Sequence, residues 1–379
     1  MSLHLAERPT RILVDLDRIV GNLRAIRAHA GVPVMAIVKA NAYGHGLVPV
    51  ARYLQERGVE HLGVAFPEEG IALRRAGITV PILVLGGIFG PQVAQYISHD
   101  LAITVSSLEK LRQVEAAAEA LGRRATVHLK VDTGMERIGV HAWSAGPFIE
   151  AAVASRWITL AGIYSHLACA DDPASPMTAL QLERFDESCA HFARLGVPVP
   201  PRHIANSAGI LHFPETRLDM VRPGILLYGV LPGPDSRPAV PVQPALSLVS
   251  RVVYFKVVEE GHTVSYGGTW TAESDTRVVT VPIGYGDGYP RALSSRGKVL
   301  VRGREYPIVG RVCMDQFMVD IGSDSAWNED EVVLIGRQGD AALSVEQVAA
   351  AAGVISYEVL VGLNERIPRV HLGAYLDPE

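Results

Sequence analysis

Cysteine is scarce in this chain of 379 residues, with only Cys169, Cys189 and Cys313 present. Three widely spaced cysteines provide neither a disulfide framework nor a zinc-ligand pattern, and such sparse use favours a reducing compartment. Long hydrophobic runs are also lacking, because no stretch approaches the roughly 18 apolar residues of a membrane span. Residues 1–10 contain no apolar segment typical of a secretory signal. We therefore expect a cytoplasmic protein without a membrane partner.

A strong charge of either sign is absent as well. The formal net charge is −5 at pH 7, which gives no electrostatic reason to expect a nucleic acid partner. The 13 histidines show no metal-ligand spacing. We interpret four of them as structural, namely His45, His128, His203 and His212. The remaining composition, 48% hydrophobic and 20% charged, is that of a globular protein, and the length predicts two domains.

Short apolar runs alternate with helical patterns between residues 34 and 222. Four of the helical patterns are followed by a glycine, as expected where a helix ends in a left-handed residue. Eight strands, each followed by a helix, predict an α/β fold, the parallel (β/α)8 TIM barrel, with an open doubly wound sheet as the alternative. The eight predicted strands are Val34–Lys39, Leu62–Phe66, Ile82–Leu85, Leu101–Val105, Val127–Val131, Leu160–His166, His203–Ala205 and Met220–Arg222.

The later part of the chain has a different texture. The segment Leu231–Pro238 is rich in proline and glycine, which is typical of a connection between domains. We predict a barrel over residues 12–236 and a mainly β C-terminal domain over residues 237–379, with residues 1–11 as a candidate addition to the second. The early run Arg11–Leu16 is a candidate strand of that domain. The other predicted strands are Ser250–Val258, Arg277–Ile283, Lys298–Val301, Gln316–Ile321 and Glu331–Ile335.

The first apolar run ends in a single lysine, Lys39, and a glycine-rich polar turn follows at once. Lysine is almost never fully buried unless it is paired, so its place at the end of a buried strand is unusual. Desolvation lowers the pKa of an ammonium group, and a neutral amine can form a Schiff base. The alternative is that Lys39 simply leaves the sheet into solvent. This stretch alone leaves both interpretations open.

Further polar residues follow other predicted strands, and in a (β/α)8 barrel such residues converge on one rim. Ser207 and the backbone N–H groups near Gly224 and Ile225 are suited to hold a phosphate. Arg222 only donates hydrogen bonds, so a ring nitrogen that faces it stays unprotonated. Together with a lysine, these groups predict pyridoxal 5′-phosphate (PLP) as the cofactor. The polar rim consists of Lys39, Arg137, His166, Asn206, Ser207 and Arg222.

Seven motifs across both predicted domains resemble the successive motifs of alanine racemases. The resemblance implies a fold-type III PLP enzyme with a barrel and a C-terminal β domain. It also implies a head-to-tail homodimer with shared active sites. The motifs are AIVKANAYGHG (36–46), KVDTGMERIGV (130–140), HIANSAG (203–209), RPGILLYG (222–229), SYGGTW (265–270), GYGDGY (284–289) and RVCMDQ (311–316).

The resemblance assigns roles to individual residues. It implies two catalytic bases on opposite faces of the substrate, Lys39 and Tyr266, the second from the partner subunit. The implied cofactor-binding residues are Lys39, Tyr43, His166, Asn206, Ser207, Arg222, Gly224, Ile225 and Tyr357. The implied substrate-binding residues are Arg137, Met314, Tyr285, Cys313 and Asp315.

Two positions near Arg137 leave alternatives open. Lys130 matches a lysine that is carbamylated in many members of the family, but a lysine there could also pair directly with an acid. Glu136 departs from the smaller or uncharged residue common at this place. It either faces solvent, as we expect, or competes for the Arg137 guanidinium.

The implied function is the interconversion of L-alanine and D-alanine, with D-alanine supplied for peptidoglycan. One alternative is a racemase of broader specificity, for serine or lysine, whose pocket would be set near Leu85 and Tyr357. A barrel-type PLP decarboxylase would require an acidic partner for the ring nitrogen, where this chain has Arg222. A PLP-binding protein without turnover would have no use for a domain that carries Tyr266.

Overall fold

The computed structural model describes most of the chain, namely residues 8–233, 236 and 239–373. Residues 1–7, and residues 234, 235, 237 and 238 of the predicted connector, lie outside the described residues. The chain divides into two compact units, one of residues 19–42 and 46–243, the other of residues 8–18, 43–45 and 244–373. The domain boundary at 236/237 stays a prediction. The first elements are strand β1 (Arg11–Asp15) and helix α1 (Leu16–Ala30).

The first unit contains seven parallel strands that pair in the order β2-β3-β4-β5-β6-β8-β9, with the short β7 beside β6. Three of them, β2, β4 and β5, are buried along their whole length, which explains their continuous apolar sequence. The strands are β2 (Met35–Ile37), β3 (His61–Val64), β4 (Ile82–Val84), β5 (Ala102–Val105), β6 (Ala125–Asp132), β7 (Val140–His141), β8 (Ile158–Tyr164) and β9 (Arg202–His203).

The eighth predicted strand, Met220–Arg222, is not a strand but a single parallel bridge between Val221 and Val34. The Met35 N–H donates to the Val221 carbonyl over 2.9 Å, and the Arg222 N–H donates to the Ala205 carbonyl over 3.0 Å. These bonds join the end of β9 to the beginning of β2, so the sheet closes there. Pro223 follows immediately and has no N–H to donate, so no regular ladder forms, although its carbonyl still accepts the Ile37 N–H over 3.1 Å.

Helices connect the strands of this unit as predicted. Gly58, Gly77, Gly122 and Gly196 all have positive φ just after helices, which confirms them as helix-terminating residues. The helical elements are α2 (Lys39–Tyr43), which is a left-handed turn, and the helices α3 (Leu47–Glu56), α4 (Pro67–Arg75), α5 (Val93–Ser98), α6 (Leu108–Leu121), α7 (Ala145–Ala154), α8 (Met177–Arg194) and α9 (Ser207–His212). Short 3-10 helices span Gly90–Gln92, Ala142–Ser144, Pro214–Thr216 and Ile225–Tyr228.

The second unit is mainly β, and its strands pair in the order β11-β14-β17-β16-β15-β18-β10-β1-β20, with β19 beside β18. The predicted α/β barrel with a mainly β C-terminal domain is therefore the fold of the chain. The strands are β10 (Leu246–Arg251), β11 (Tyr254–Val258), β12 (Thr263–Val264), β13 (Trp270–Thr271), β14 (Thr276–Val281), β15 (Lys298–Val301), β16 (Arg304–Val309), β17 (Phe317–Gly322), β18 (Glu331–Gln338), β19 (Ala341–Leu343) and β20 (Arg369–Leu372). Helices α10 (Val345–Ala352) and α11 (Ser356–Gly362) and the 3-10 helices Tyr266–Gly268, Tyr285–Asp287 and Arg291–Leu293 complete it.

Two expectations about this unit have clear outcomes. The prediction of a single strand over Ser250–Val258 is wrong, because β10 and β11 are separate strands. The Val252 N–H donates to Asp330, whereas the Val253 N–H donates to Thr280, so the chain changes partners between them. The early strand β1 does belong here, since it pairs antiparallel with β10 and parallel with β20.

No single helix in the described part of the chain is long and apolar enough to cross a membrane. Helices α10 and α11, which meet at a bend of 99°, are long and apolar enough for such a span only when they are counted together.

Candidate active site

The turn after the first barrel strand has an unusual backbone. The prediction that Lys39 ends the strand is wrong, because β2 stops at Ile37 and Lys39 begins the next element. Ala40, Asn41 and Ala42 then have φ of 53°, 55° and 53°, which is the left-handed helical region. That conformation costs residues with a Cβ roughly 1–2 kcal/mol each. Such a turn persists only where the surrounding structure holds it.

Glu69, the third residue of α4, holds this turn. Its Oε1 accepts the Ala40 N–H over 2.7 Å, and its Oε2 accepts the N–H groups of Ala65 and Phe66 over 2.8 and 3.2 Å. The carboxylate therefore ties the residue after Lys39 to the end of β3. Glu69 was not among the predicted site residues, although an acidic residue at the third position of a helix is a recognisable capping signal.

Lys39 is half-buried, and its Nζ makes no hydrogen bond or ion pair with any described residue. Burial lowers the pKa of the Lys39 ammonium, and the nearby positive charges of Arg137 and Arg222 lower it further. The Glu69 carboxylate acts in the opposite direction without reversing the shift. A lowered pKa increases the neutral fraction of this amine, which is the reactive form. The interpretation of Lys39 as a solvated lysine does not agree with this environment.

Arg222 is 3% exposed and is held by fixed acceptors. Its Nη2 donates to the carbonyls of Ser165 and Ile204 over 2.8 and 3.2 Å, and its Nη1 contacts His203 Nδ1 at 2.9 Å. Burial lowers the pKa of Arg222 to about 10, so it stays charged at neutral pH. Its Nε–H has no hydrogen-bond partner among the described residues. A guanidinium donor that the protein leaves without an acceptor suits a ligand atom that can only accept.

His166 lies beside this guanidinium, as predicted. Its Nδ1 is 3.3 Å from Arg222 Nη2 and accepts the hydrogen bond. Burial, followed by the charge of Arg222, holds the pKa of His166 well below its usual value. The imidazole is therefore neutral and available to accept.

Two buried aromatic residues also lie beside Arg222, and neither was among the predicted site residues. His203, which we interpreted as structural, accepts from Arg222 and is fully buried. Tyr164 stacks on His203 with ring centroids 4.8 Å apart, and its ring also lies 5.2 Å from the Arg222 guanidinium carbon. His203 begins the HIANSAG motif and is the last residue of the short strand β9, and this strand-end position was the available signal.

Lys130 is buried inside the same unit, with 6% exposure. Its Nζ lies 4.4 Å from the centre of the Tyr164 ring and makes no ion pair with a described residue. Burial and the charge of Arg222 hold the pKa of Lys130 well below its usual value, while Asp132 acts in the opposite direction. Direct pairing of Lys130 with an acid, one of the two alternatives, is therefore not seen.

The loop that carries Arg137 is organised by Asp132. Its Oδ1 accepts the N–H groups of Gly134, Met135 and Glu136, and its Oδ2 accepts the Arg137 N–H. Burial raises the pKa of Asp132, but these hydrogen bonds outweigh it and lower the pKa overall. The Arg137 side chain is exposed and has no partner among the described residues.

Glu136 turns away from Arg137, in agreement with our expectation that it faces solvent. Its side chain is 63% exposed, and its Oε2 contacts His141 Nε2 at 2.9 Å. The departure from the family pattern therefore leaves the Arg137 guanidinium without a competing carboxylate.

The residues expected to hold a phosphate lie together around Ser207. The Ser207 hydroxyl oxygen accepts the N–H groups of Gly224 and Leu226 over 2.9 and 3.3 Å, and Ile225 lies between these two. The hydroxyl proton itself has no acceptor among the described residues. Asn206 caps α9, because its Oδ1 accepts the Gly209 N–H over 2.9 Å. Asn206 also lies next to the Leu167 carbonyl, at 3.5 Å.

The second unit brings Tyr266 together with other predicted substrate-binding residues. Tyr266, Cys313, Met314 and Asp315 line one cleft. The Tyr285 N–H donates to the Cys313 carbonyl over 3.0 Å, which links the GYGDGY motif to the same place. Within this unit, all five predicted residues therefore lie close together.

Tyr266 stands at the tip of the β12–β13 hairpin and is 71% exposed. Its hydroxyl makes no hydrogen bond within the described residues. Ser265, just before it, has φ of 70° and anchors the turn by donating its hydroxyl to the Arg311 carbonyl over 2.8 Å. A strained turn that exposes a tyrosine without a hydrogen-bond partner indicates that Tyr266 does not serve the packing of its own unit.

Tyr43 and Tyr357 also lie in the second unit, with ring centroids 6.1 Å apart. The segment around Tyr43 is fixed by the last strand, because Arg369 Nε donates to the Gly44 carbonyl over 2.7 Å and His371 Nε2 to the His45 carbonyl over 2.8 Å. Burial raises the pKa of Tyr43, so its hydroxyl stays protonated and is suited to donate to an anion.

Comparison with known proteins agrees with this description. Residues 14–232 match the model of the alanine racemase N-terminal domain, and residues 245–371 match that of the C-terminal domain. Alanine racemase from Symbiobacterium thermophilum is 44% identical over 368 residues, which covers 97% of this chain and 98% of that protein.

Solved structures give the same result. The crystal structure of alanine racemase from Streptomyces lavendulae has a TM-score of 0.93 and 41% identity and covers 98% of both chains. That of alanine racemase from Bartonella henselae with covalently bound pyridoxal phosphate has a TM-score of 0.88 and 27% identity, over 97% of this chain and 100% of that one. The chain therefore belongs to the alanine racemase family, whose members are PLP-dependent isomerases.

Proposed function

We propose that this enzyme interconverts L-alanine and D-alanine with PLP, using Lys39 of one subunit and Tyr266 of a second subunit as the two bases. The observation that carries the proposal is the buried Arg222. Its Nε–H lacks an acceptor, and the amine of Lys39 shares its environment. A donor-only group at the cofactor ring and a partly neutral lysine are the two features that such chemistry requires.

The residues present fit PLP. Ser207, with a hydroxyl proton to donate, and the backbone near Gly224 and Ile225 would hold the phosphate together with Tyr43 and Tyr357. Arg222 would face the ring nitrogen, supported by His166, and Asn206 would lie in the same network. When bound, PLP supplies an electron-accepting ring that makes the Cα proton of the amino acid removable.

Two proton carriers are needed, because racemisation removes a proton from one face of Cα and delivers another to the opposite face. Lys39 Nζ would attach the cofactor and exchange the proton on one face. The lowered pKa of Lys39 supports this role, because a base must spend time unprotonated. Tyr266 Oη would serve the other face.

The substrate would be oriented by charged and polar groups. Arg137, with an exposed side chain on a loop fixed by Asp132, would bind the carboxylate of alanine. The backbone N–H of Met314, together with Tyr285, would help to hold the substrate, and Cys313 and Asp315 would flank it.

We infer a head-to-tail homodimer from the exposure of the Tyr266 cleft. Tyr266 and Met314 are 71% and 52% exposed, which is unusual for residues that belong in a water-excluded site. A second copy that covers this cleft would complete both sites at once, and a closed twofold arrangement is the commonest way to do so.

Lys130 is a proposed site of carbamylation. A neutral amine attacks carbon dioxide, forms an N–C bond and releases one proton, so the lowered pKa of Lys130 favours the reaction. The new carboxylate would neutralise a pocket that otherwise holds Lys130 and Arg222 and lies near Arg137. We further propose a cytoplasmic enzyme that supplies D-alanine for peptidoglycan.

A chiral assay tests the proposal. Purified protein is incubated with L-alanine and PLP, and D-alanine is measured by chiral chromatography, with L-serine and L-lysine run alongside. Lys39→Ala should lower the rate by at least about 1,000-fold, because it removes both the attachment point and a base. No D-alanine from the wild type, or faster turnover of serine or lysine, would contradict the assignment to alanine.

Hydrogen exchange at Cα separates two bases from one. In deuterated water, Tyr266→Phe should keep Cα exchange for only one enantiomer of alanine, since Lys39 still serves one face. Tyr254→Phe, which changes another exposed tyrosine of the same unit, is the control and should match the wild type. Equal loss of exchange for both enantiomers would argue against two bases.

Mixing of inactive variants tests the shared site. Lys39→Ala and Tyr266→Ala subunits, dissociated and reassociated together, should recover up to about one quarter of the wild-type activity, because half of the dimers are mixed and each holds one intact site. No recovery, with mixed dimers demonstrated by mass spectrometry, would contradict a site built from two chains.

A further inference from the structure

A chain of buried hydrogen bonds continues from Arg222 away from the proposed cofactor site. Arg222 Nη1 lies 2.9 Å from His203 Nδ1, and His203 Nε2 lies 2.9 Å from His128 Nδ1. Both histidines are buried, at 0% and 4% exposure. His128 is on β6 and His203 on β9, so the chain links two strands of the barrel.

The direction of every bond in this chain follows from Arg222. A guanidinium only donates, so His203 Nδ1 must accept. A neutral His203 then carries its single proton on Nε2 and donates it to His128 Nδ1. His128 in turn must be neutral and carry its proton on Nε2. Only one combination of tautomers satisfies both contacts.

The surroundings of His128 keep it in this form. Burial is the main cause that lowers the pKa of His128 to about 3, and the neighbouring His61 and Arg222 act in the same direction. Arg222 is the permanently charged group that acts on His128, and β8 packs against the His128 ring through Gly162, where an added Cβ would clash with His128 Nδ1. Tyr164 stacks on the ring of His203, the next residue in this chain of hydrogen bonds. His128 is thus an uncharged acceptor at neutral pH.

We propose that His128 is a positioning residue, which fixes the tautomer of His203 and thereby the orientation of Arg222. Without an acceptor at His128, the buried His203 Nε2–H would lose its partner. Moving the proton to Nδ1 would relieve that loss, but it would then point one donor at another on Arg222. The guanidinium would lose an acceptor and with it the fixed direction of its Nε–H. The functional consequence rests on the proposed role of Arg222.

Two substitutions distinguish this role from simple packing. His128→Asn places an amide oxygen where His128 Nδ1 lies, so an acceptor is kept. His128→Leu fills a similar volume with an apolar group, so the acceptor is lost. The first readout is the tautomer of His203, measured by NMR of ring-¹⁵N-labelled histidine in the PLP-loaded protein.

We expect the wild type to show His203 protonated at Nε2 alone, with a slowly exchanging proton, from pH 6 to 8. His128→Leu should lose that signal and lower kcat/KM by about ten-fold, the effect of one unsatisfied buried donor. His128→Asn should restore the signal and bring kcat/KM to within about three-fold of the wild type.

Several outcomes would overturn the proposal. These are a wild-type His203 protonated at Nδ1 or at both nitrogens, a His128→Leu variant with an unchanged His203 signal, or a His128→Asn variant no better than Leu. If His128→Leu does not fold, the tautomer of His203 in the wild type and in His128→Asn tests the proposal instead. The tautomer of His203 does not depend on turnover. If the protein showed the predicted tautomer but no racemase activity, the proposed function would be refuted and the role of His128 in fixing the tautomer would stand.

Discussion

Removal of the Glu69 carboxylate should loosen the turn that carries Lys39. In the variant Glu69→Ala, the N–H groups of Ala40, Ala65 and Phe66 lose their shared acceptor. The turn from Ala40 to Ala42 is left-handed and intrinsically unfavourable, so it depends on such tethers. We therefore expect a local effect on residues 39–43 that exceeds the loss of one surface charge.

The magnitude follows from the individual contacts. A hydrogen bond to a charged group contributes about 1.5–3 kcal/mol when it is shielded from water, as for the partly buried Ala65 N–H. The contacts with Ala40 and Phe66 are exposed, and water can replace them, so each contributes no more than about 1 kcal/mol. The sum is about 1.5–5 kcal/mol. Each 1.4 kcal/mol corresponds to a factor of ten in an opening equilibrium.

Hydrogen–deuterium exchange read by mass spectrometry measures this effect on the peptide that covers residues 36–46. Exchange should accelerate at least about ten-fold in Glu69→Ala. Glu68→Ala is the matched control, because Glu68 is also acidic, lies in the same first turn of α4 and bonds only the exposed Gln92 side chain. Equal exchange rates in the two variants would refute the idea that Glu69 holds the turn.

Two further predictions concern backbone strain and pH. Ala40→Gly should raise the free energy of unfolding by about 0.5–1 kcal/mol in urea titrations, because glycine relieves the left-handed strain but loses more entropy on folding; a decrease would contradict that strain. Asp287, fully buried and bonded to Arg8, should make stability fall as pH drops below about 4. Burial raises its pKa, but the hydrogen bonds from Arg8 and the Gly284 N–H prevail and lower it overall. The folded pKa thus lies below the unfolded value, so this contribution is complete above the unfolded pKa and lost as pH falls through the folded one. Asp287→Asn should show a shallower acid limb in unfolding followed by circular dichroism, and an unchanged limb would contradict the assignment.

Local patterns in the sequence determined much of the fold. Continuous apolar runs located seven of the eight predicted barrel strands, because these strands are largely buried. Met220–Arg222 failed as a strand because Pro223 has no N–H to extend the ladder beyond one bridge. Ser250–Val258 failed because a run of β-branched residues does not reveal that Val252 and Val253 bond different strands. A change of partner depends on tertiary contacts and has no signature in the run itself.

The same distinction applies to the site. Residues to which we assign the chemistry, such as Lys39 and Arg222, are conspicuous in the sequence because a charged group follows an apolar run. Glu69, Asp132 and His203 act by holding those residues, and their side chains look like ordinary capping, loop and core residues in sequence. The left-handed conformation of Ala40 was also unpredictable, since alanine does not favour it. It is held by a residue 29 positions later.

The bonds from the last strand to the segment after Lys39 have a consequence for synthesis of the chain. Arg369 and His371 hold Gly44 and His45 across sequence separations of 325 and 326 residues, and β20 also pairs with β1. A ribosome therefore completes nearly the entire polypeptide before Tyr43 can take its final place. Contacts of such long range form late and slow folding. The placement of residues 43–45 is therefore a late step that belongs to the folding of the C-terminal unit, whereas the barrel strands pair among themselves.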